Sequence, residues 1–224
     1  MRLRLTLKIF FRLNKCSVDI FSCGETYLSR TIVALYAGIG ATLFSDVSGA
    51  LLALGIQHDF LDGLEIQRGD LRSYKTLVFP GGITDICYQA LSPKAKAEIK
   101  TFVEKGGGYV GICMGAYIAS KLMMVRSRAI RRWGEYWAEV EIVNPQHQVV
   151  KGYSGKITMY YQNGPEILTA ESEESLAKFP NGAAAILSAK HGSGKTVLFS
   201  PHPEKLPSTT MLLKNAVEYC CSID

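Results

Sequence analysis

No stretch of 18 uncharged apolar residues occurs in this sequence, so no membrane-spanning helix is expected. The six cysteines, Cys16, Cys23, Cys87, Cys113, Cys220 and Cys221, include no Cys-x-x-Cys pair and form no regular framework. A chain of 224 residues buries roughly 70% of its unfolded surface. Its core then needs neither disulfides nor metals, and a reduced, cytoplasmic setting is expected. The four histidines, His58, His147, His191 and His202, show neither HExxH nor His-Cys spacing, so no metal site and no cofactor is expected. Repeats and low-complexity tracts are also missing. The 47% hydrophobic and 20% charged content excludes disorder, collagen and coiled coil as descriptions of the whole chain.

The net charge of +5 is unevenly spread. Arg2, Arg4, Lys8, Arg12, Lys15 and Arg30 face only Asp19 and Glu25 within residues 1–30. The rest of the chain is almost neutral. A nucleic-acid binder spreads its Lys and Arg over a folded face, so no nucleic-acid partner is expected. Arg126, Arg128, Arg131 and Arg132 form a smaller cluster that reads as solvated surface.

Residues 1–30 form a basic extension. Lys8, Arg12 and Lys15 interrupt its apolar run and no small-x-small cleavage site follows, which argues against a signal peptide. A membrane-touching amphipathic helix, a strand pair and a plain peripheral extension stay open, with the last as the default.

Residues 31–224 read as one α/β domain. Apolar, β-prone runs at 31–37, 56–60, 75–79 and 109–112 alternate with helical patterns at 44–54, 93–105 and 115–123. Such alternation implies right-handed crossovers and a mostly parallel, doubly wound sheet with helices on both faces. The second half differs. Short runs at 136–143, 149–152, 156–161, 183–189 and 196–200 read as strands of extra β-hairpins, before a closing helix at 207–221.

Two glycine motifs fail as phosphate loops. Gly38-Ile-Gly40 has Leu43 where a dinucleotide fingerprint needs its third glycine. Gly194-Lys195-Thr196 has Ala189 where a Walker loop needs its first, and it leads into a strand. Both read as tight turns.

The chemistry concentrates elsewhere. Gly111-Ile112-Cys113-Met114-Gly115 lies where a strand meets a helix. A nucleophile there sits on a sharp turn above the carboxyl end of the sheet, facing a helix N-terminus that favours thiolate. The plainer alternative is a buried structural cysteine. Ser200-Pro201-His202-Pro203-Glu204 follows another apolar strand, so it emerges at the edge where open α/β sheets bind ligands. His202 can serve as base and Glu204 as its orienter; the plainer alternative is a surface turn. Phe79-Pro80-Gly81-Gly82 ends a central strand, and its glycine amide, with that of Met114, can donate to an oxyanion.

Together these elements resemble the class I glutamine amidotransferase-like superfamily, with its GxCxG elbow and later His-x-Glu. More narrowly, the chain resembles the N-terminal amidotransferase-like domain of biotin–protein ligases. The matching segments are Leu35–Thr42, Val78–Gly82, Gly111–Tyr117, Met159–Pro165 and Ser200–Glu204. The resemblance implies a flavodoxin-like fold. It implies Cys113 as nucleophile, His202 as base, Glu204 as its partner, and Gly82 and Met114 as oxyanion donors. It also implies a substrate pocket lined by Gly38, Gly40, Thr42, Asp85, Tyr88, Tyr161, Asn163 and Gly164.

Familiar glutaminases carry His-Gln after the elbow; this chain has Ala116-Tyr117. No Gly-Arg-Gly-rich loop of a ligase catalytic domain occurs in the sequence. The expected function is therefore thiol chemistry on an unknown amide- or ester-like small substrate. The alternative is a non-catalytic binding or regulatory module whose pocket senses a small molecule or supports a separate biotin–protein ligase or a biotin-dependent protein.

Overall fold

The computed structural model of the chain describes residues 32–222. The basic extension, residues 1–30, lies outside them. Strands β1 (Val33–Tyr36), β2 (His58–Leu61), β3 (Thr76–Phe79), β4 (Gly108–Ile112) and β11 (Gly194–Phe199) run parallel in the order β2-β1-β3-β4-β11. This is the flavodoxin-like order.

Successive residues of these strands alternate between two apolar layers, as the period of two requires. Val33, Leu35, Val78, Val110, Val197 and Phe199 pack beneath α1 (Phe44–Ala53) and α6 (Thr210–Cys221). Ala34, Tyr36, Leu77, Phe79, Tyr109 and Leu198 pack beneath α2 (Gly63–Arg68), α4 (Pro93–Glu104) and α5 (Met114–Lys121). Outside β2, the residues of these strands are buried on both faces, which explains their apolar runs.

The helix signals work locally. Ser92 caps α4 by accepting from the Ala95 amide at 3.1 Å, with Pro93 in the first turn and Ala95, Ile99 and Val103 buried. Gly106, at φ 103°, follows its end. Helix α2 falls in a stretch without a helical expectation. It carries a reciprocal cap in which Asp62 accepts from Glu65 N and Glu65 accepts from Asp62 N. Helix α3 (Thr84–Ala90) also lacks a sequence expectation, because only Cys87 of its seven residues is buried.

Beyond β11 the sheet turns antiparallel through β10 (Ala184–His191), β9 (Glu174–Lys178), β6 (Glu135–Ile142) and β7 (Lys156–Gln162). Strand β5 (Arg128–Arg131) pairs with β8 (Pro165–Leu168), which joins β10. The short β5, β8 and β9 carry too little alternation to be read from sequence. One expected strand, 149–152, is instead a 3₁₀ turn over Gln148–Val150. His147 Nδ1 accepts from Val149 N there, and Asn215 of α6 donates to the carbonyls of Val149 and Lys151. Burial of Val149 and Val150 without a strand partner explains the apolar run.

Candidate active site

Because β1, β3, β4 and β11 are parallel, their carboxyl ends share one edge. The segments that leave that edge are Gly38–Thr42, Pro80–Gly82, Cys113 and Ser200–Glu204. At the end of β4, Cys113 has φ 50° and ψ −98°. This conformation is strained for a side-chain-bearing residue. The flanking glycines make it possible. A Cβ on Gly115 would strike the Phe79 carbonyl, and one on Gly111 would lie 2.7 Å from the Gly115 carbonyl carbon. The Cys113 amide donates to Phe199 O at 2.8 Å, tying the elbow to β11.

His202 is fully buried, and its Nδ1 lies 2.7 Å from Glu204 Oε1. Its amide donates to Tyr160 O at 2.7 Å, fixing the backbone. Gly81 leaves room for the ring: a Cβ there would come within 2.8 Å of His202 Cε1. His202 Nε2 has no well-aligned hydrogen-bond partner, yet it is near enough for Cys113 to act on the ring. Burial works against the charged imidazole. The Glu204 carboxylate and the Cys113 sulfur outweigh it, so the imidazole pKa is raised above its ordinary value.

The Cys113 thiol donates to Gln162 O at 3.3 Å, and the cysteine is only 5% exposed. Tyr161 is buried beside it, donating to Gly164 O at 2.6 Å. A Cβ on Gly164 would collide with Ser200 O, which accounts for the glycine. Asn163, at φ 52°, pairs with Gly134. The end of β7 thus touches both Cys113 and His202.

The loop 38–42 is pinned to the Pro-Gly-Gly turn. Thr42 N and Ile83 N both donate to Gly40 O, and Leu43 N donates to Gly81 O. A Cβ on Gly82 would overlap Gly40 O. Met114 opens α5 immediately after Cys113, so its amide is among those with no partner inside the helix.

Asp85 and Tyr88 both lie on α3. Asp85 is exposed and paired with Arg131 at 2.7 Å and Lys121 at 3.7 Å. Tyr88 lies under Lys96, 3.8 Å from the ring centroid. No cluster of His, Cys, Asp or Glu is placed to hold a metal ion among the described residues. An open groove of about 630 Å³ lies away from Cys113 and His202, bordered by Arg126, Glu173, Glu174 and Lys190.

Three contributors escaped the sequence reading. Tyr117 donates to Asn163 O at 3.2 Å. Its signal was available, since a residue four after Cys113 shares its helix face. Gln162 acts through its carbonyl and leaves no side-chain signal. Gly81 makes space for the His202 ring.

A β2-β1-β3-β4-β11 sheet with a strained cysteine at one strand end and a buried His-Glu pair at the next invites comparison with solved structures. PurLQS from Thermotoga maritima is 16% identical with a TM-score of 0.69, over 84% of this chain and 97% of that one. A glutamine amidotransferase from Thermotoga maritima is 17% identical with a TM-score of 0.57, over 85% and 82%. The fold is glutamine amidotransferase-like.

The same fold is shared with a region of the beta-galactosidase from Bacillus circulans sp. alkalophilus, at 18% identity and a TM-score of 0.65. There the match covers 85% of this chain and 31% of that one, so the fold alone does not set an activity. The family model described as "Biotin-protein ligase, N terminal" matches residues 71–128. That span includes Gly82, Cys113 and Met114 but stops short of His202. A search of curated protein sequences gives no significant match. No helix among the described residues is long and apolar enough to cross a membrane.

Proposed function

We propose that this glutamine amidotransferase-like chain is a cysteine-nucleophile amidase or amidotransferase-like hydrolase for a small amide or ester. The observation that carries the reading is the buried His202–Glu204 pair set against the strained Cys113.

In this mechanism the Cys113 proton passes to His202 Nε2, and Glu204 stabilises the imidazolium through Nδ1. The thiolate attacks the substrate carbonyl carbon. The amides of Gly82 and Met114 bind the developing oxyanion. Collapse breaks the C–N or C–O bond, and His202 returns its proton to the leaving amine or alcohol. Water, deprotonated by His202, or an incoming amine then releases the thioester. Gly38–Thr42 and Tyr161–Gly164 border the acyl group.

The second reading is a non-catalytic module that supports a separate biotin–protein ligase. The family-model match over residues 71–128 favours it. Steady-state hydrolysis across a panel of primary amides and activated esters separates the two. Turnover that is lost in Cys113→Ala, with an unchanged melting temperature, supports the enzyme. No turnover, or turnover that survives Cys113→Ala, favours the module.

A further inference from the structure

Cys113 donates to the backbone carbonyl of Gln162 at 3.3 Å, while its sulfur is also near enough to His202 to act on the ring. The carbonyl belongs to a segment fastened at several points. Tyr117, one turn along α5 from Cys113, donates its hydroxyl to Asn163 O at 3.2 Å. Asn163 Oδ1 accepts from Gly134 N at 2.8 Å, and Asn163 N donates to Gly134 O at 2.8 Å. Three hydrogen bonds therefore meet at one residue, directly after the carbonyl that holds the thiol.

The backbone there is strained. Asn163 (φ 52°) is one of three non-glycine residues with positive φ among those described, and Cys113 (φ 50°) is another. Gly134, the residue Asn163 grips, has φ 148°. Strain of about 1–3 kcal/mol per residue persists only where the surroundings over-determine it, and it gathers at clamps and switches. The Tyr117 phenol is half-buried, and burial pushes it up to about 12, so it stays a donor at neutral pH.

We infer that Tyr117 and Asn163 are positioning residues that clamp the Gln162 carbonyl onto the Cys113 thiol and hold the nucleophile in a closed resting form. An acyl substrate must displace this strap. Once the carbonyl leaves, the S–H bond breaks and the proton goes to His202 Nε2, with no other bond changed. The 5% exposure of Cys113 is then a property of the closed form. The inference rests on the reading of Cys113 as a nucleophile.

The test is the alkylation rate of Cys113 by iodoacetamide at neutral pH, read by peptide mass spectrometry beside Cys87 and Cys220. Tyr117→Phe removes one bond of the clamp, and Asn163→Gly removes the Oδ1 bond while relieving the backbone. Each is expected to speed Cys113 labelling about fivefold, the factor that one net hydrogen bond carries. Cys87 and Cys220 should keep their rates. Asn163→Asp keeps the acceptor and should stay within about twofold of wild type. Unchanged Cys113 labelling in both loosening variants would overturn the strap, as would equal acceleration of all three cysteines. The catalytic reading is scored separately by adding His202→Ala to Tyr117→Phe. If Cys113 then labels as fast as in Tyr117→Phe alone, the strap stands and His202 is not its base. If the strap variants change nothing but His202→Ala slows labelling, the base stands and the strap falls.

Discussion

His202 Nδ1 and Glu204 Oε1 meet at 2.7 Å with neither side chain exposed to solvent. A buried charge pair costs desolvation on both sides, and breaking it leaves one charge uncompensated. The pair is therefore a weak contributor to stability but an expensive one to disrupt.

Glu204→Gln should lower unfolding free energy by about 1–3 kcal/mol, the cost of an imperfectly satisfied buried partner. It should also slow acylation of Cys113 roughly 100-fold, since the base loses its orienter. Urea unfolding and stopped-flow acylation check the two effects. A variant with wild-type acylation would remove Glu204 from the mechanism.

The same pair sets a pH dependence. The imidazole pKa is raised in the folded chain, so folding favours its protonated form. That stabilisation is fully present below the unfolded histidine value of about 6.5 and is lost as pH rises through the folded value. The stability gap between wild type and Glu204→Gln should therefore narrow as pH rises above neutral. Urea midpoints measured across that range test this, and a gap that widens with pH would contradict it.

Glycine positions separate site effects from backbone effects. Gly81→Ala brings a methyl 2.8 Å from His202 Cε1 and 2.9 Å from Leu43 Cδ1. Leu43 can rotate away, but His202 is held by Glu204. Overpacking should cost about 1–3 kcal/mol and shift the ring, slowing acylation. In contrast, Gly49 lies in α1 with nothing near its Cβ position. Gly49→Ala should stabilise the fold by about 0.5–1 kcal/mol with acylation unchanged. Thermal melts of the two variants give the comparison.

Much of this was legible because the central strands are buried on both faces and bounded by glycine. The elbow at Cys113 and the His202-x-Glu204 motif could be put at one edge from strand direction alone. The antiparallel half was harder. Val149 and Val150 read as strand because burial, not pairing, made them apolar. Asp85 and Tyr88 came from a family pattern; on α3 they pair with Arg131 and Lys96, contacts that spacing alone does not reveal. The Gln162 carbonyl could not be found from sequence, since any residue offers one.

Purified chain should not biotinylate an acceptor protein with biotin and ATP. Adenylation needs a cradle for nucleotide phosphates. Gly194 and Thr196 lie within β11, and the carbonyl of Gly40 in the 38–42 loop is already taken by the amides of Thr42 and Ile83. A biotin-transfer assay with a streptavidin readout checks this, and acceptor labelling by the chain alone would refute it.

The central claim is that Cys113 forms a thioester with help from His202. The direct measurement is acid-quenched mass spectrometry after exposure to p-nitrophenyl acetate at neutral pH. The account predicts a hydroxylamine-labile acetyl group on Cys113 that forms roughly 100-fold more slowly in His202→Ala. It also predicts none on Cys87, whose thiol is pushed up to about 11 by burial. Acetylation of Cys113 that is indifferent to His202→Ala, or no acetylation of Cys113 at all, would contradict it.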